Sequence, residues 1–353
     1  KPVINKKTDF YIYPNTEYHA LLQRLKNVFS VSDNIFFNTY INKKNLTRFK
    51  PGKYEFDSSF SFNDIINEIR VPDNRESVWF SFNASDDFGI IASKFINTFP
   101  SGKDSTFTNF PNPIDSMDVI NGINNYDYSD YIDFSIDSNL IKVLFIPDKY
   151  KFNWHNSINA FVLKILEKYE EYWNSENISK LNILNEKWSN CYLTTIDVSK
   201  LASIVYKEAK YESEYAMIAG LYLNRLNQGW KLEADPTVNY AFQEKFGFDT
   251  VLTRVYNKHT RINSKYNTYK NIGLPPAPIC IPSKQALDAV LNAEKHDYLY
   301  MCAKVEIDES KKYIYFPGLH SFSKDHSTHS KYANKYRSAL NKIKKESSFF
   351  FYL

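Results

Sequence analysis

The alternation of short strand-like runs with amphipathic helix-like runs constrains the fold of this chain more than any other feature of its sequence. Residues 10–13 (FYIY), 52–56 (GKYEF) and 78–82 (VWFSF) are short and rich in aromatic residues, which is typical of strands. Each leads through a polar turn into a run whose apolar residues recur at helical spacing. Because the units recur at irregular intervals, they indicate a shared local architecture rather than a repeat array. The sequence therefore predicts an α+β fold.

Composition narrows the class of protein. The 353 residues are 43% hydrophobic and 24% charged, which is typical of a folded chain long enough for two domains. The formal net charge is only +4 and no dense basic block with interleaved aromatics occurs, so nucleic acid is not expected as a partner. The three cysteines lie far apart without a CxxC pair, which argues against a disulfide framework or a structural zinc site. No run approaches the roughly 18 apolar residues of a membrane span.

The composition of the chain changes twice between residues 99 and 174. Residues 99–138 are rich in Pro, Gly, Asn, Asp and Ser, which predicts long loops around one short helix. The largely apolar run at 139–147 (NLIKVLFIP) predicts a buried strand. Residues 157–174 predict an amphipathic helix with Phe161, Ile165 and Tyr169 on one face.

A glutamate on the apolar side of a helix is the main chemical signal in the second half. In the helix predicted for residues 198–210, Leu201, Ile204, Val205 and Glu208 share one face. Loss of hydration there raises a glutamate pKa from roughly 4.3 toward neutrality, and an acid still protonated near pH 7 can act as a general acid. If the helix continues, Glu212 adds a like charge on the same face. The alternative is that Glu208 reaches the surface or pairs with a lysine.

The segments after this helix have clear local signals. A helix over about 214–228 ends at Gly229, and its small residues Ala216, Ala219 and Gly220 favour close packing against a neighbour. Asp235 fits an N-cap and Pro236 the first helical position, so capping alone accounts for Asp235, with a catalytic role as the alternative. Further predictions are irregular structure at 266–282, a helix at 283–293, strands at 297–305 and 313–317, and a last helix at 332–345.

Three histidines near the C-terminus raise the question of a metal. Of His320, His326 and His329, only the last two have helical ligand spacing, so a metal-dependent site is the weaker alternative and no metal is predicted. No GxSxG, P-loop or GxGxxG motif occurs, so the sequence does not predict the usual serine-hydrolase or nucleotide-binding sites.

Six motifs in the second half resemble one enzyme family in order and approximate spacing. They are LASIVYKEA, IAGLYLNRL, LEADPTVNYA, YNTYKNIGLPPAPI, LNAEKHDYLYMCAK and GLHSFS followed by HS, all within residues 198–340. The chain in this region resembles the endolytic murein transglycosylase family, also called YceG-like or MltG. The segments FIPDKYKFNW and KPGKYEF extend the resemblance, more weakly, into the first half.

The resemblance implies a domain organisation, an activity and a location. It implies a small LysM-like N-terminal domain at residues 1–75 and a mixed α+β catalytic domain at 76–353, which includes the 99–138 loops. The family cleaves nascent peptidoglycan glycan strands between N-acetylmuramic acid and N-acetylglucosamine and leaves 1,6-anhydromuramic ends, without a cofactor. It implies a single-pass N-terminal anchor in the inner (cytoplasmic) membrane with the catalytic domain on the outer, periplasmic side, and cell-wall synthases as partners.

The resemblance also assigns residues. The family's catalytic glutamate, the Glu of its KE pair, falls on Glu208, in agreement with the helical spacing. Candidate contacts to sugar, chosen for their amide, hydroxyl, carboxyl, aromatic or imidazole groups, are Asn224, Asp235, Tyr266, Asn267, Thr268, His320 and His329. The chain departs from the family pattern at Tyr206, Glu233 and Ser330, where acidic, Gln and Asn residues are frequent.

A protein of this fold without catalytic activity, acting as a glycan-binding or division scaffold, is the competing interpretation. Retention of Glu208 argues against it, because a binding protein has no need of a half-buried acid that costs free energy.

Overall fold

The structure of the protein is a computed structural model that describes residues 7–12, 16–28, 49–70, 77–84, 86–99, 115–132, 137–153, 157–247, 250–252, 254–307 and 313–350. The chain divides into two compact units. The first comprises Lys1–Ser81, Phe88–Ile123 and Lys149–Phe161, and the second comprises Phe82–Asp87, Asn124–Asp148 and Val162–Leu353. Helices and small antiparallel sheets occur in both, which confirms the predicted α+β class.

The N-terminal part of the first unit has a hydrophobic core of its own. Strand β1 (Thr8–Ile12) pairs antiparallel with β2 (Gly52–Phe56). Helices α1 (Tyr18–Val28) and α2 (Phe62–Arg70) contribute side chains to the same core. The core side chains are Phe10, Ile12, Leu21, Leu25, Tyr54, Phe56, Ile65, Ile66 and Ile69, each at most 2% exposed. The strand at 52–56 is therefore confirmed, while the LysM-like assignment of this part stays a prediction.

A second antiparallel strand pair in the first unit carries an aromatic cluster. Strand β3 (Ser77–Ser81) pairs antiparallel with β4 (Lys149–Asn153), and helix α3 (Phe88–Thr98) packs against β3. Rings of the cluster meet edge to face or tilted, except for Phe80 and Phe99, which are stacked. Its members are Phe80, Phe95, Phe99, Phe152 and Phe161.

The strand predicted at 139–147 is wrong. Ser138–Leu144 form a 3₁₀ helix, which starts where the Asp137 side chain accepts a hydrogen bond from the backbone N–H of Asn139 at 2.8 Å. Every apolar residue of the run is buried, and a run buried on all sides shows neither the period of a strand nor that of a helix. Helix α4 (Ser116–Asn124) confirms the short helix within the 99–138 segment.

The helix that ends at Glu208 starts with a complete set of capping bonds. Helix α5 (Ile158–Tyr172) buries Phe161, Ile165 and Tyr169 as predicted, and α6 (Ser175–Lys187) follows it. Helix α7 (Thr195–Glu208) begins with a capping box in which Thr194 and Asp197 bond each other's backbone N–H groups. Its buried face packs against the next three helices of the unit, so its last residue has a defined position.

The packing predicted for the small residues of the following helix is confirmed. In helix α8 (Tyr215–Asn227), a Cβ atom on Gly220 would lie 2.2 Å from the backbone carbonyl oxygen of Glu294. Only glycine allows this approach, which brings the chain before strand β5 (Tyr300–Ile307) against the helix. Gly229 follows the helix with φ +68, the left-handed conformation expected after a helix end.

The remaining elements complete the second unit. Helices α9 (Asp235–Phe246) and α10 (Lys284–Leu291) flank residues 266–282, which form neither helix nor strand, as predicted. Strand β5 pairs antiparallel with β6 (Tyr313–Ser323), and α11 (His326–Phe350) packs on this hairpin. Within the described residues, no helix combines the length and the apolar character that crossing a bilayer requires.

Candidate functional site

An open cleft of about 750 Å³ lies within the second unit. Helices α7, α8 and α9, the irregular segment after them and the β5–β6 hairpin all contribute to its walls. Its lining includes six ionisable side chains, five from residues 207–235 and one from strand β6: Lys207, Glu208, Arg225, Glu233, Asp235 and His320. A cleft with this mixture of carboxylates, cations and apolar surface suits a polar, extended ligand.

Glu208 stands at the C-terminal end of α7, where the chain leaves the helix at Ala209. Its side chain is half-buried, and its Oε2 atom is buried without a hydrogen-bond partner in the structure. The Tyr222 hydroxyl donates a hydrogen bond to the carboxyl group. Glu208 therefore lines the cleft while one of its carboxyl oxygens is buried and unpaired.

The surroundings of Glu208 raise its pKa to about 7. Burial is the largest cause, and the negative charge of Asp235 is the second. The Tyr222 hydrogen bond and the charge of Arg225 act in the opposite direction. Glu208 is thus poised to hold and release a proton near neutral pH, as the sequence predicted.

Two sequence expectations around this residue are wrong. Helix α7 ends at Glu208, and Glu212 lies in a separate 3₁₀ turn, Glu212–Glu214, where its side chain is exposed. The charge that raises the Glu208 pKa is that of Asp235 instead. Asp235 is the first residue of α9 rather than its N-cap; Ala234 takes that place without a side-chain cap bond.

Because Ala234 and not Asp235 is the N-cap, the Asp235 carboxylate can face the same cleft as Glu208. Its Oδ1 atom accepts a hydrogen bond from the Tyr269 hydroxyl at 2.7 Å. The protein around Asp235 raises its pKa through desolvation, and the Tyr269 bond acts against that shift. Glu208 and Asp235 are thus two carboxyl groups of one cleft in different surroundings, a recurrent feature of acid/base sites.

Arg225 holds the rim of the cleft together. Its Nε atom donates to the Leu299 carbonyl at 2.7 Å and its guanidinium donates to the Leu232 carbonyl at 2.6 Å, with Glu233 at 3.8 Å. Glu233 has φ +48, the left-handed region that side chains other than glycine rarely adopt. Strain of this kind concentrates at functional sites, and here it accompanies a carboxylate that lines the cleft.

Four predicted sugar contacts lie beneath the cleft walls rather than on them. Asn224, Tyr266, Asn267 and Thr268 are at most 8% exposed and their polar groups bond other parts of the protein. The Tyr266 hydroxyl donates to Asp137 at 2.9 Å, and the Asn267 amide donates to two backbone carbonyls. Thr268 accepts the N–H of Ala234, the residue before Asp235. The structure thus places these side chains where they support the residues that line the cleft.

The two predicted histidines are in different environments. His320 lines the cleft, and Glu214 bonds its ring. His329 stacks on Tyr300 with ring centroids 5.3 Å apart, and burial lowers its pKa. Its Nδ1 atom is buried without a partner. Within the described part of the chain, no three His, Cys, Asp or Glu side chains are grouped so that they could hold a metal ion.

Sequence reasoning missed Tyr222, Arg225 and Tyr269, which all line the cleft. Tyr222 and Arg225 are three residues apart and share the face of α8 that meets the cleft, whereas Asn224 is rotated about 100° away from Arg225. Tyr269 lies in the same irregular segment as the predicted Tyr266.

Comparison with known proteins agrees with this fold. The model of the YceG-like family matches residues 10–335, and the chain belongs to that family. A Streptococcus pneumoniae (strain ATCC BAA-255 / R6) protein named endolytic murein transglycosylase is 24% identical over 306 residues, which cover 80% of this chain and 51% of that protein. A Bacillus subtilis (strain 168) protein of the same name is 34% identical over 167 residues, 44% of this chain and 42% of that protein.

The chain spans about half the length of the curated relatives it matches. Among solved structures, the crystal structure of a YceG-like protein from Listeria monocytogenes aligns with a TM-score of 0.51 and 21% sequence identity. The alignment covers 92% of this chain and 98% of that chain. This likeness shows the fold alone.

Proposed function

We propose that this protein cleaves the glycan strands of peptidoglycan as an endolytic lytic transglycosylase, between N-acetylmuramic acid and N-acetylglucosamine. The observation that carries the proposal is Glu208, a half-buried acid with a pKa of about 7 and one buried, unpaired oxygen, which lines an open cleft. Membership in the YceG-like family and relatives named endolytic murein transglycosylase support the substrate class.

The chemistry requires one group that first gives and then takes a proton. Protonated Glu208 donates its proton to the glycosidic oxygen as the C1–O bond of the muramic sugar breaks. The resulting carboxylate takes the proton of that sugar's C6 hydroxyl, whose oxygen forms a new bond to C1. A 1,6-anhydro end results, no water is consumed, and Glu208 is protonated again.

Asp235 favours a second candidate reaction, hydrolysis of the same bond. Ordinary glycosidases use a pair of carboxyl groups, one as acid and the other as base or nucleophile. Asp235 lines the cleft with Glu208 and has no capping role, so its carboxylate could serve as the base or nucleophile of such a pair. Mass spectrometry of the products separates the reactions, because hydrolysis leaves a reducing end and transglycosylation leaves an anhydro end.

Asp235→Asn tests the electrostatic link between the two carboxyl groups. Removing the negative charge of Asp235 lowers the Glu208 pKa below about 7. Catalysis needs protonated Glu208, so the rate falls as pH rises through that pKa, and we expect the falling limb to move to lower pH in the variant. The measurement is the pH profile of kcat/KM on glycan strands. A limb at the native position would show that Asp235 does not act on Glu208, and complete inactivity with reducing ends from the native chain would favour hydrolysis.

A supporting role for the N-terminal residues completes the proposal. Residues 1–75 form a LysM-like domain that places glycan for cleavage, since their described part has its own core. We expect deletion of these residues to weaken binding and cleavage of long strands while short oligosaccharides are still cleaved. Equal activity of the truncated and native chains on long strands would contradict this role.

The location and partners follow the same family resemblance. We propose that the protein is held by a single N-terminal anchor in the cytoplasmic membrane with this chain on the outer side, beside the synthases that supply nascent strands. Protease accessibility of the protein in intact spheroplasts tests the orientation. A non-catalytic scaffold remains the alternative, and a native chain that binds glycan without cleaving it would establish that alternative.

A further inference from the structure

Glu214 uses both of its carboxylate oxygens on a single residue, His320. Oε1 accepts the backbone N–H of His320 at 2.9 Å, and Oε2 accepts from the Nδ1 atom of its ring at 2.9 Å. The two side chains are only 12% and 14% exposed. A carboxylate can only accept, so the proton of this contact lies on Nδ1.

The segment that follows Glu208 is tied to the cleft hairpin at two points. Glu214 is one tie, at the end of the 3₁₀ turn. The other is at Gly318, whose φ is +87 and where a Cβ atom would lie 2.7 Å from the Cβ of Lys210. His320 pairs across the hairpin with Ala303, which also lines the cleft. The His320 ring is thus held in place relative to the chain that carries Glu208.

With Nδ1 engaged, Nε2 is the ring nitrogen left for a ligand. No protein atom in the described part of the chain is hydrogen-bonded to Nε2, and His320 lines the same cleft as Glu208. We propose that Glu214 is a positioning residue that holds His320 in the tautomer with a bare Nε2, which accepts a hydrogen bond from a hydroxyl group of the bound saccharide. The identity of the ligand rests on the proposed function.

Electrostatics favour this role over a simple structural tie. The cleft already contains the carboxyl groups of Glu208, Glu233 and Asp235, so another nearly buried carboxylate nearby is unfavourable unless it is fully paired. A tie to the backbone N–H needs only one acceptor oxygen. The second oxygen of Glu214 bonds the ring, where it selects one tautomer and one orientation of the imidazole.

Glu214→Gln tests the tautomer without removing the tie. The backbone N–H of His320 can only donate, so the amide oxygen must face it and the amide N–H₂ must face Nδ1. Nδ1 then accepts, and the proton moves to Nε2. The saccharide hydroxyl that donates to the native ring must then turn and accept from Nε2–H, which costs it its native orientation. We therefore expect kcat/KM for glycan cleavage to fall about 10-fold, with the thermal midpoint close to native. The matched control is Glu212→Gln, the same change at an exposed position of the same turn, which should leave cleavage unchanged.

The variant His320→Asn provides a second, independent test of the proposal. Asparagine retains a donor close to the position of Nδ1 and so keeps the tie to Glu214, but it has no group in place of Nε2. We expect a loss comparable to that of Glu214→Gln. In ¹⁵N-histidine spectra of the Glu208→Gln protein, the His320 Nε2 resonance should lie at the position of a bare nitrogen and move when an alternating N-acetylglucosamine and N-acetylmuramic acid tetrasaccharide binds.

The outcomes separate this inference from the proposed function. Three results would each overturn the positioning role while glycan cleavage by the native chain stands. They are a native cleavage rate in the His320→Asn variant, a changed tautomer in Glu214→Gln without loss of rate, and an Nε2 resonance that does not move when saccharide binds. A native chain that neither binds nor cleaves the saccharide would overturn both.

Discussion

We expect Glu208→Gln to have the largest effect on activity, a loss of glycan cleavage at or beyond about 10⁴-fold, the top of the range for general acid/base catalysis. General acid/base assistance is typically worth about 10²- to 10⁴-fold, and here one group serves both halves of the reaction. The amide keeps the shape of the protonated acid but can neither release a proton to the glycosidic oxygen nor accept one from the C6 hydroxyl. Mass spectrometry should find 1,6-anhydromuramic ends with the native chain and none with the variant.

Stability measurements serve as the control for this variant. Because the Glu208 pKa is raised from 4.5 to about 7 by folding, the folded state binds the extra proton between these values. The contribution of Glu208 to the free energy of unfolding is therefore fully present below pH 4.5 and is lost as pH rises through about 7. Glutamine does not titrate, so denaturant unfolding at pH 5 and pH 8 should show a smaller difference in the variant than in the native chain.

Two results would contradict the assignment of Glu208. A fully active Gln variant would remove the residue from the chemistry. Reducing ends from the native chain would mean hydrolysis, and the single-carboxyl mechanism would then give way to one that includes Asp235.

Asn224→Ala should have the largest effect on stability, a loss of roughly 3 kcal/mol or more, because each buried polar group left unsatisfied costs about 1 to 3 kcal/mol. The Asn224 side chain accepts the indole N–H of Trp188 at 2.8 Å and donates to the carbonyls of His296 at 2.7 Å and Tyr298 at 3.0 Å. Truncation leaves all three without their partner. Denaturant unfolding measures the loss, while the KM of the remaining folded protein should be close to native.

Asn227→Ala is the matched control on the same helix. Asn227 accepts one exposed backbone N–H, that of Asn190 at 3.0 Å, so its loss should cost less than about 1 kcal/mol. If Asn224→Ala instead kept native stability and raised KM, Asn224 would contact the substrate, as the sequence alone predicted.

The parts of the fold that sequence predicted well are those decided by local chemistry. The glycine after α8, the irregular segment at 266–282 and the helix start at Asp235–Pro236 depend on the dihedral angles that glycine and proline favour. Where the local signal was ambiguous, prediction failed. The apolar run at 139–147 has no period that separates a strand from a 3₁₀ helix, and the Asp235 signal fits N1 nearly as well as the N-cap.

The sequence by itself determined the α+β class, most element positions and the acid, because helical spacing alone brings Glu208 to the apolar face of α7. Only the tertiary structure decided which side chains meet that acid. Asp235, Arg225 and the Glu214–His320 pair approach the cleft from separate elements, and Glu214 and His320 are 106 residues apart. One residue along a helix rotates a side chain by about 100°, so Arg225 lines the cleft and Asn224 does not. Such contacts depend on the rotation and position of each element in the packed fold, which a local pattern of residues does not determine.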